Sequence, residues 1–295
     1  MYTLLRLLAF VIVAGLATAW FLTRPDRLPD TALDGVTGDA TRGEQVFYAG
    51  GCASCHAAPG AQDAAKLVLA GGRAFASDFG TFYAPNISPS AQGIGDWTAM
   101  DLANAMIRGV SPSGAHYYPA FPYTSYARAT PQDVADLHAF LTTLPASDNQ
   151  APPHEVGFPF NIRRALGGWK LLFLKDDWVL TDPADDQVAR GRYLVEALGH
   201  CAECHTARNA LGGVDRTAWL GGAPNPSGEG RIPNITPAGL DWSAGDIAEY
   251  LSSGFTPEFD VAGGEMADVI ANTAQLTDAD RAAIAAYLKA VPPVP

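Results

Sequence analysis

Cysteine is scarce in this chain: four residues in 295, too few to serve as a disulfide scaffold. Charge is also thin, at 17%, yet the 48% hydrophobic content excludes a disordered tail protein. Cations are scarcer than anions, nineteen Lys and Arg against thirty-one Asp and Glu, for a net charge of −12. No cluster of bases is present, which excludes nucleic acid as a partner, because phosphate binding needs grouped cations. Thioether donors are confined to Met1, Met100, Met106 and Met266. Alternating strand patterns are sparse, and 30 Gly with 22 Pro speak for long loops. The length predicts about two domains.

Long apolar runs occur once, from Leu7 to Leu22, with Thr18 the only polar member. Arg6 precedes the run, and Arg24, Pro25 and Asp26 follow it. A charged start, an apolar core and Ala17-Thr18-Ala19 fit a cleavable signal peptide. Tyr2 to Leu22 gives 21 residues, enough for an anchor helix if Arg6 snorkels, and Trp20 suits an interfacial belt. The anchor reading is the favoured one, and either reading exports the remainder across a bacterial inner membrane into the periplasm.

The cysteines fall as Cys52-Ala-Ser-Cys55-His56 and Cys201-Ala-Glu-Cys204-His205. C-x-x-C-H is the covalent attachment motif of c-type haem: the two thiols add to the vinyl groups, and the adjacent imidazole faces the iron. One short helical turn presents all three groups to one porphyrin edge. A zinc ribbon would place its second pair 15 to 20 residues on, and a thioredoxin motif would stand once in a βαβ setting. Both cysteine pairs here end in His and no cysteine is left over, so two covalent haem c groups are expected, with Cys52, Cys55, Cys201 and Cys204 as attachment points and His56 and His205 as iron ligands.

Around the motifs runs an internal repeat of about 110 residues. Arg42-Gly43 lies ten positions before Cys52, and Arg190-Gly191 eleven before Cys201. Pro85-Asn86-Ile87-Ser88 pairs with Pro233-Asn234-Ile235-Thr236. Thr98 with Asp101 and Ser243 with Asp246 read as capping boxes. Closing helices open at Thr130-Pro131 and Thr277, with apolar faces of Val134, Leu137 and Leu141 in one and Ile284 and Leu288 in the other. The expected division is 1–35 anchor or signal, 36–147 first haem domain, 148–185 linker and 186–295 second haem domain. Within the linker, the apolar-basic segment Phe158 to Leu174 is expected to pack between the domains.

With both motifs, Gly80-Thr81-Phe82-Tyr83-Ala84-Pro85-Asn86-Ile87, Tyr118-Pro119-Ala120-Phe121-Pro122-Tyr123 and Phe158-Pro159-Phe160-Asn161-Ile162-Arg163, the chain resembles the multi-haem c-type cytochromes that serve as electron-transfer subunits of bacterial membrane-bound alcohol, aldehyde and sugar dehydrogenases. The resemblance implies an all-α fold of two tandem class I cytochrome c domains with long loops behind one hydrophobic helix. It also implies a periplasmic dehydrogenase or other redox donor, with a cytochrome or terminal oxidase as acceptor. Relatives often carry three haem domains; this chain has two.

Class I cytochromes complete the iron with a methionine from the later half of the domain, which raises the potential. Met266, nine residues after Pro257 in a glycine-containing loop, fits that role in the second copy. The same step from Pro112 lands on Phe121, which cannot ligate. Three readings stand for the first copy: His116 in the same loop, an open or water-bound iron, or Met106 or Met100. The repeat aligns Met106 with Leu251, a core position, and Met100 with Gly245, a helix surface. Arg73, Tyr83 and Arg231 are candidate propionate partners, since buried carboxylates need cations or donors. His138, His154 and His200 read as structural or solvated.

An electron carrier is the favoured function, with electrons passing from a lower-potential first haem (His56, His116) to a higher-potential second (His205, Met266). Residues 186–295 hold 14 acids against 7 bases and residues 36–147 hold 8 against 5, so a basic partner would dock on the second domain. The rival is a dihaem enzyme of peroxidase or thiosulfate-oxidising type working at an open first iron. No further catalytic constellation supports it. A haem-based sensor would need an output domain, and none is evident.

Overall fold

The computed structural model describes residues 1–225 and 230–295. Its helices are α1 (Tyr2–Leu22), α2 (Ala40–Ala49), α3 (Cys52–His56), α4 (Ala99–Arg108), α5 (Tyr123–Tyr126), α6 (Pro131–Leu141), α7 (Ala165–Phe173), α8 (Asp186–Arg192), α9 (Ala202–His205), α10 (Ala244–Ser253), α11 (Glu265–Thr273) and α12 (Asp278–Ala290). The strands are β1 (Ala74–Ser77), β2 (Gly80–Tyr83), β3 (Ala223–Pro224) and β4 (Arg231–Ile232). The order helix, attachment turn, hairpin, capped helix, short helix, closing helix runs twice.

In each unit the first and last helices cross at a glycine. A Cβ on Gly43 would lie 1.9 Å from the Asp136 carbonyl oxygen, and one on Gly191 would lie 1.9 Å from that of Ala283. Only glycine lets α2 meet α6, and α8 meet α12, at that distance. The preceding arginine locks each crossing. Arg42 grips both oxygens of Asp136, at 2.8 and 2.9 Å, and Arg190 holds Asp280 at 2.7 Å. The repeated Arg-Gly pair is therefore a helix-crossing device.

Both capping boxes form, with Thr98 and Ser243 accepting from the Asp101 and Asp246 amides while each Asp accepts from its cap residue. Thr130 and Thr277 cap α6 and α12. Val134, Leu137, Leu141, Ile284 and Leu288 are all buried in one core that runs through both units. The second copy's extra residue is taken up in a π-helical turn, Tyr193–Leu198, the usual way a helix accommodates one added residue. Glu196 in that turn is fully buried, its carboxylate accepting from the Val179 and Leu180 amides and the Tyr287 hydroxyl.

The fold is mostly helical, as expected, and adds two short hairpins to the helices. β1 pairs antiparallel with β2, and β3 with β4. Each hairpin sits in the loop after an attachment motif, where backbone N–H and C=O groups without a helix must pair with something. Four- and two-residue ladders are too short to leave a periodic signal in sequence.

α1 is 21 residues long with mean hydropathy 2.1, and none of its apolar window is buried. At ~1.5 Å per residue it is about as long as the hydrocarbon core is thick. Its end is docked rather than free. Arg164 reaches Thr23 Oγ1 at 3.2 Å, bonds the Trp20 carbonyl and stacks on the Trp20 ring. Gly167 of α7 sits where a Cβ would be 2.2 Å from the Thr23 carbonyl oxygen.

The linker segment packs between the units along one face only. Trp169 donates to the Leu211 carbonyl of the second unit and meets Tyr123 of the first. Lys170 is buried and donates to the Arg108 and Gly109 carbonyls at the end of α4, at 2.6 and 2.7 Å. Phe158, Phe160, Ile162, Leu171 and Leu172 remain exposed.

Candidate haem-binding sites

Each attachment motif is a single helical turn, α3 in the first unit and Cys201 with α9 in the second. Gly51, in the left-handed region at φ 58°, starts the first turn abruptly after α2. Burial pushes the Cys52 and Cys201 thiols up to about 12 and Cys55 to about 11. Among the described residues, no group of three or more His, Cys, Asp or Glu gathers for a metal ion.

The histidines show what the repeated Pro-Asn-Ile segment does. His56 Nδ1 donates to the Pro85 carbonyl at 2.8 Å, and His205 Nδ1 to the Pro233 carbonyl at 2.8 Å. Burial lowers the pKa of both imidazoles. A neutral ring whose Nδ1 proton is committed leaves Nε2 as a free lone pair, the state an iron ligand requires. Asn86 then ties the loop to the chain beyond α6, donating to the Ser147 and Asn149 carbonyls, and Asn234 does the same to the Val294 carbonyl. Gly71 (φ 70°) and Gly222 (φ 85°) donate to the carbonyls of His56 and His205 at 2.7 and 2.8 Å. A Cβ on Gly71 would lie 2.5 Å from the Pro85 carbonyl carbon. Sequence reading found these repeats without their role, because the working atom is a backbone oxygen and not a side chain. Paired thiols on one turn and an oriented, neutral imidazole fit a covalent haem in both units.

The sixth-position candidates are more dispersed. Met266 is half-buried against the core in the first turn of α11, so it sits on a helix and not in the loop expected. Phe121 lies at the equivalent step among Tyr117, Tyr123 and Tyr126. Met106 is core, at 5% exposure, as the repeat anticipated, and Met100 is half-buried on α4. His116 departs from expectation. It is 3% exposed, its Nε2 pairs with the Thr23 carbonyl at 3.0 Å, and its Nδ1 is buried without a partner. The imidazole serves the docked end of α1, a contact 93 residues away in sequence.

The propionate candidates are also engaged differently. Arg73 donates to the Ser54 carbonyl and pairs with Asp268 at 3.0 Å and Glu265 at 3.4 Å. Tyr83 donates to Glu155 at 3.0 Å, and Arg231 lies exposed on β4. Arg73 is instead part of a clamp between units: Lys66 pairs with Asp268 at 3.2 Å, and Asn272 donates to Ser54 Oγ at 2.8 Å. The clamp holds α11, the helix carrying Met266, against the first attachment turn. Beside it, His200 Nε2 donates to the Gly50 carbonyl at 3.2 Å, so the residue before Cys201 touches the residue two before Cys52. His138 and His154 are structural, bonded to the Trp97 carbonyl and the Tyr83 amide.

The cytochrome c family model matches residues 40–145 and 188–292. A "Diheme cytochrome c-type" protein of Cereibacter sphaeroides is 61% identical over 288 residues, 97% of each chain. The fructose dehydrogenase cytochrome subunit of Gluconobacter japonicus is 40% identical over 261 residues, 85% of this chain and 52% of that one. The gluconate 2-dehydrogenase cytochrome c subunit of Pantoea cypripedii is 36% identical over 265 residues, 85% of this chain and 59% of that one. The chain thus spans nearly all of the first relative and between half and three-fifths of these two dehydrogenase subunits.

Proposed function

The chain belongs to the cytochrome c family and carries two covalently bound haem c groups; from there we propose that it is a membrane-anchored relay, taking electrons from a periplasmic dehydrogenase or quinol-linked donor and passing them to a cytochrome or terminal oxidase. Each haem supplies a one-electron Fe(III)/Fe(II) couple. The protein's part is to hold, orient and insulate. Cys52, Cys55, Cys201 and Cys204 fix the groups, and the Pro85 and Pro233 carbonyls hold the His56 and His205 protons on Nδ1. Met266 on the clamped α11 is assigned the sixth position of the second site. α1 is assigned as the span that keeps the soluble part at the membrane surface, on the periplasmic side.

The observation carrying this reading is the hydrogen bond between His200 and Gly50, which flank the two attachment turns, so that the cysteines that would hold the two haems start from one inter-unit contact. Methionine ligation raises a haem potential, so the second site is the high-potential end. Its unit is also the more acidic, suited to a basic acceptor. Potentiometric titration of the full dihaem protein, with Met266→Ala to identify the second site, tests this. Two one-electron steps are expected, the higher one falling in the variant. A first-site potential above the second would overturn the direction.

A second reading rests on Phe121 and on His116 being bonded to Thr23: a first iron without a protein sixth ligand, open to a small molecule. EPR of the oxidised protein separates the two, since a high-spin first site supports this second reading and two low-spin sites exclude it.

A further inference from the structure

Where α1 leaves its apolar stretch, a cavity of about 290 Å³ opens between it, α4 and α7. Its lining mixes the bases Arg24, Arg108 and Lys170 with the apolar Leu22, Leu171 and Leu174. Asp26 and Asp176 also line it; Asp26 is 3.9 Å from Arg108 and mostly exposed. Two polar atoms in the wall, His116 Nδ1 and Arg108 Nε, are buried without a hydrogen-bond partner. Leaving such groups unpaired is costly: Arg108 Nε–H fits an anionic oxygen as part of a fixed cation, and the neutral His116 ring, whose Nε2 proton goes to the Thr23 carbonyl, offers Nδ1 as an acceptor for a headgroup hydroxyl.

The surroundings are out of character for the rest of the chain. Residues 158–175 contain Arg163, Arg164, Lys170 and Lys175 and no acid, in a protein of net charge −12. The same stretch leaves Phe158, Phe160, Ile162, Leu171 and Leu172 exposed, and Arg164 and Gly167 pin it to the end of α1. Exposed apolar side chains interleaved with bases beside a membrane span are the composition of an interfacial segment.

We propose that the cavity between α1 and α7 seats the phosphate headgroup of an anionic phospholipid, its acyl chains following the exposed side of α1 while Leu171 and Leu172 rest in the bilayer interface. This rests on the reading of α1 as a membrane span. A ligand with both an anionic head and an apolar body is what the mixed lining asks for; an uncharged quinone would leave Arg108 Nε without an anionic partner. The seat would hold the first unit, and with it both haem sites, in one orientation on the membrane.

The test uses the full dihaem chain in detergent micelles doped equally with phosphatidylglycerol and phosphatidylcholine, with retained lipids counted by native mass spectrometry. Wild type is expected to retain phosphatidylglycerol at least fivefold over phosphatidylcholine, and R24Q/R108Q to lose about fivefold of that preference for each arginine removed, until none is left. R24K/R108K keeps the charge and should keep the preference, which separates loss of the seat from loss of the fold. K289Q in the second unit should change nothing. Equal retention in wild type, an undiminished preference in R24Q/R108Q, or displacement of the lipid by equimolar ubiquinone overturns the proposal. Flotation with pure phosphatidylcholine vesicles tests the span separately. A chain that floats but shows no lipid preference retains its anchor and lacks the seat; a chain that does not float overturns both.

Discussion

The two units share a scaffold down to single atoms and part company at one position. In both, an Arg-Gly pair sets the helix crossing, a Pro carbonyl fixes the iron-facing histidine, and an Asn ties that loop to the end of the unit. At the position proposed for the sixth ligand, the second unit has Met266 on a nine-residue helix, while the first has Phe121 before the four-residue α5. The difference teaches that holding a haem and tuning it are separate tasks. The first needs backbone geometry and tolerates no drift; the second rests on one side chain and is free to diverge. The longer helix has also acquired a second use, since its acids grip Arg73 and Lys66 of the first unit.

The equivalence of the scaffolds breaks or holds most visibly at the crossings. Gly43→Ala and Gly191→Ala should each cost about 3 kcal/mol, because the added carbon overlaps a backbone oxygen that cannot yield; chemical unfolding followed at each haem band would show it. Markedly unequal losses would mean that only one crossing supports its unit. The divergence is sharpened by exchange at the sixth position. Phe121→Met should raise the first potential and Met266→Phe lower the second, each by on the order of 0.1 V of the ≈0.8 V that axial ligands span; redox titration reads both, and an unmoved first potential would end the equivalence of positions 121 and 266.

Smaller effects test the clamp. Burial works to raise the Asp268 pKa, but the hydrogen bonds from Arg73 and Lys66 outweigh it and hold the carboxyl below its ordinary value. Its contribution is therefore present at neutral pH and is lost as pH falls through that depressed value. Asp268→Asn should cost about 1 kcal/mol and flatten the acid limb of the stability profile, and an unchanged limb would mean the clamp adds nothing. Smallest of all is His200→Ala, which removes one inter-unit hydrogen bond of roughly 0.5–1 kcal/mol. Faster amide exchange around Gly50 and Cys201 with little change elsewhere would be its mark.

What the sequence disclosed was local. Attachment turns, capping boxes and closing helices depend on residues within four positions of each other, and their spacing is printed in the chain. The step from proline to Met266 or Phe121 was visible because the repeat supplies its own ruler. Partners at long range were not visible. Arg73 finds Asp268 across 195 residues, and His116 finds a backbone carbonyl that any residue at position 23 would have offered. The hairpins were hidden because ladders this short are held by the loops around them rather than by their own pattern.

The π-helical turn before Cys201 has a mechanical meaning. Each residue added to an α-helix rotates everything after it by ~100°, and such a rotation would swing a thioether anchor well off its porphyrin edge. By widening one turn, the second unit absorbs its extra residue without passing that rotation downstream, so the attachment turn keeps its angular phase relative to α12. Deleting one residue between Tyr193 and Leu198 should therefore be tolerated as a return to regular helix, whereas inserting one at the matching place in α2 would misdirect Cys52 unless that helix formed a bulge of its own.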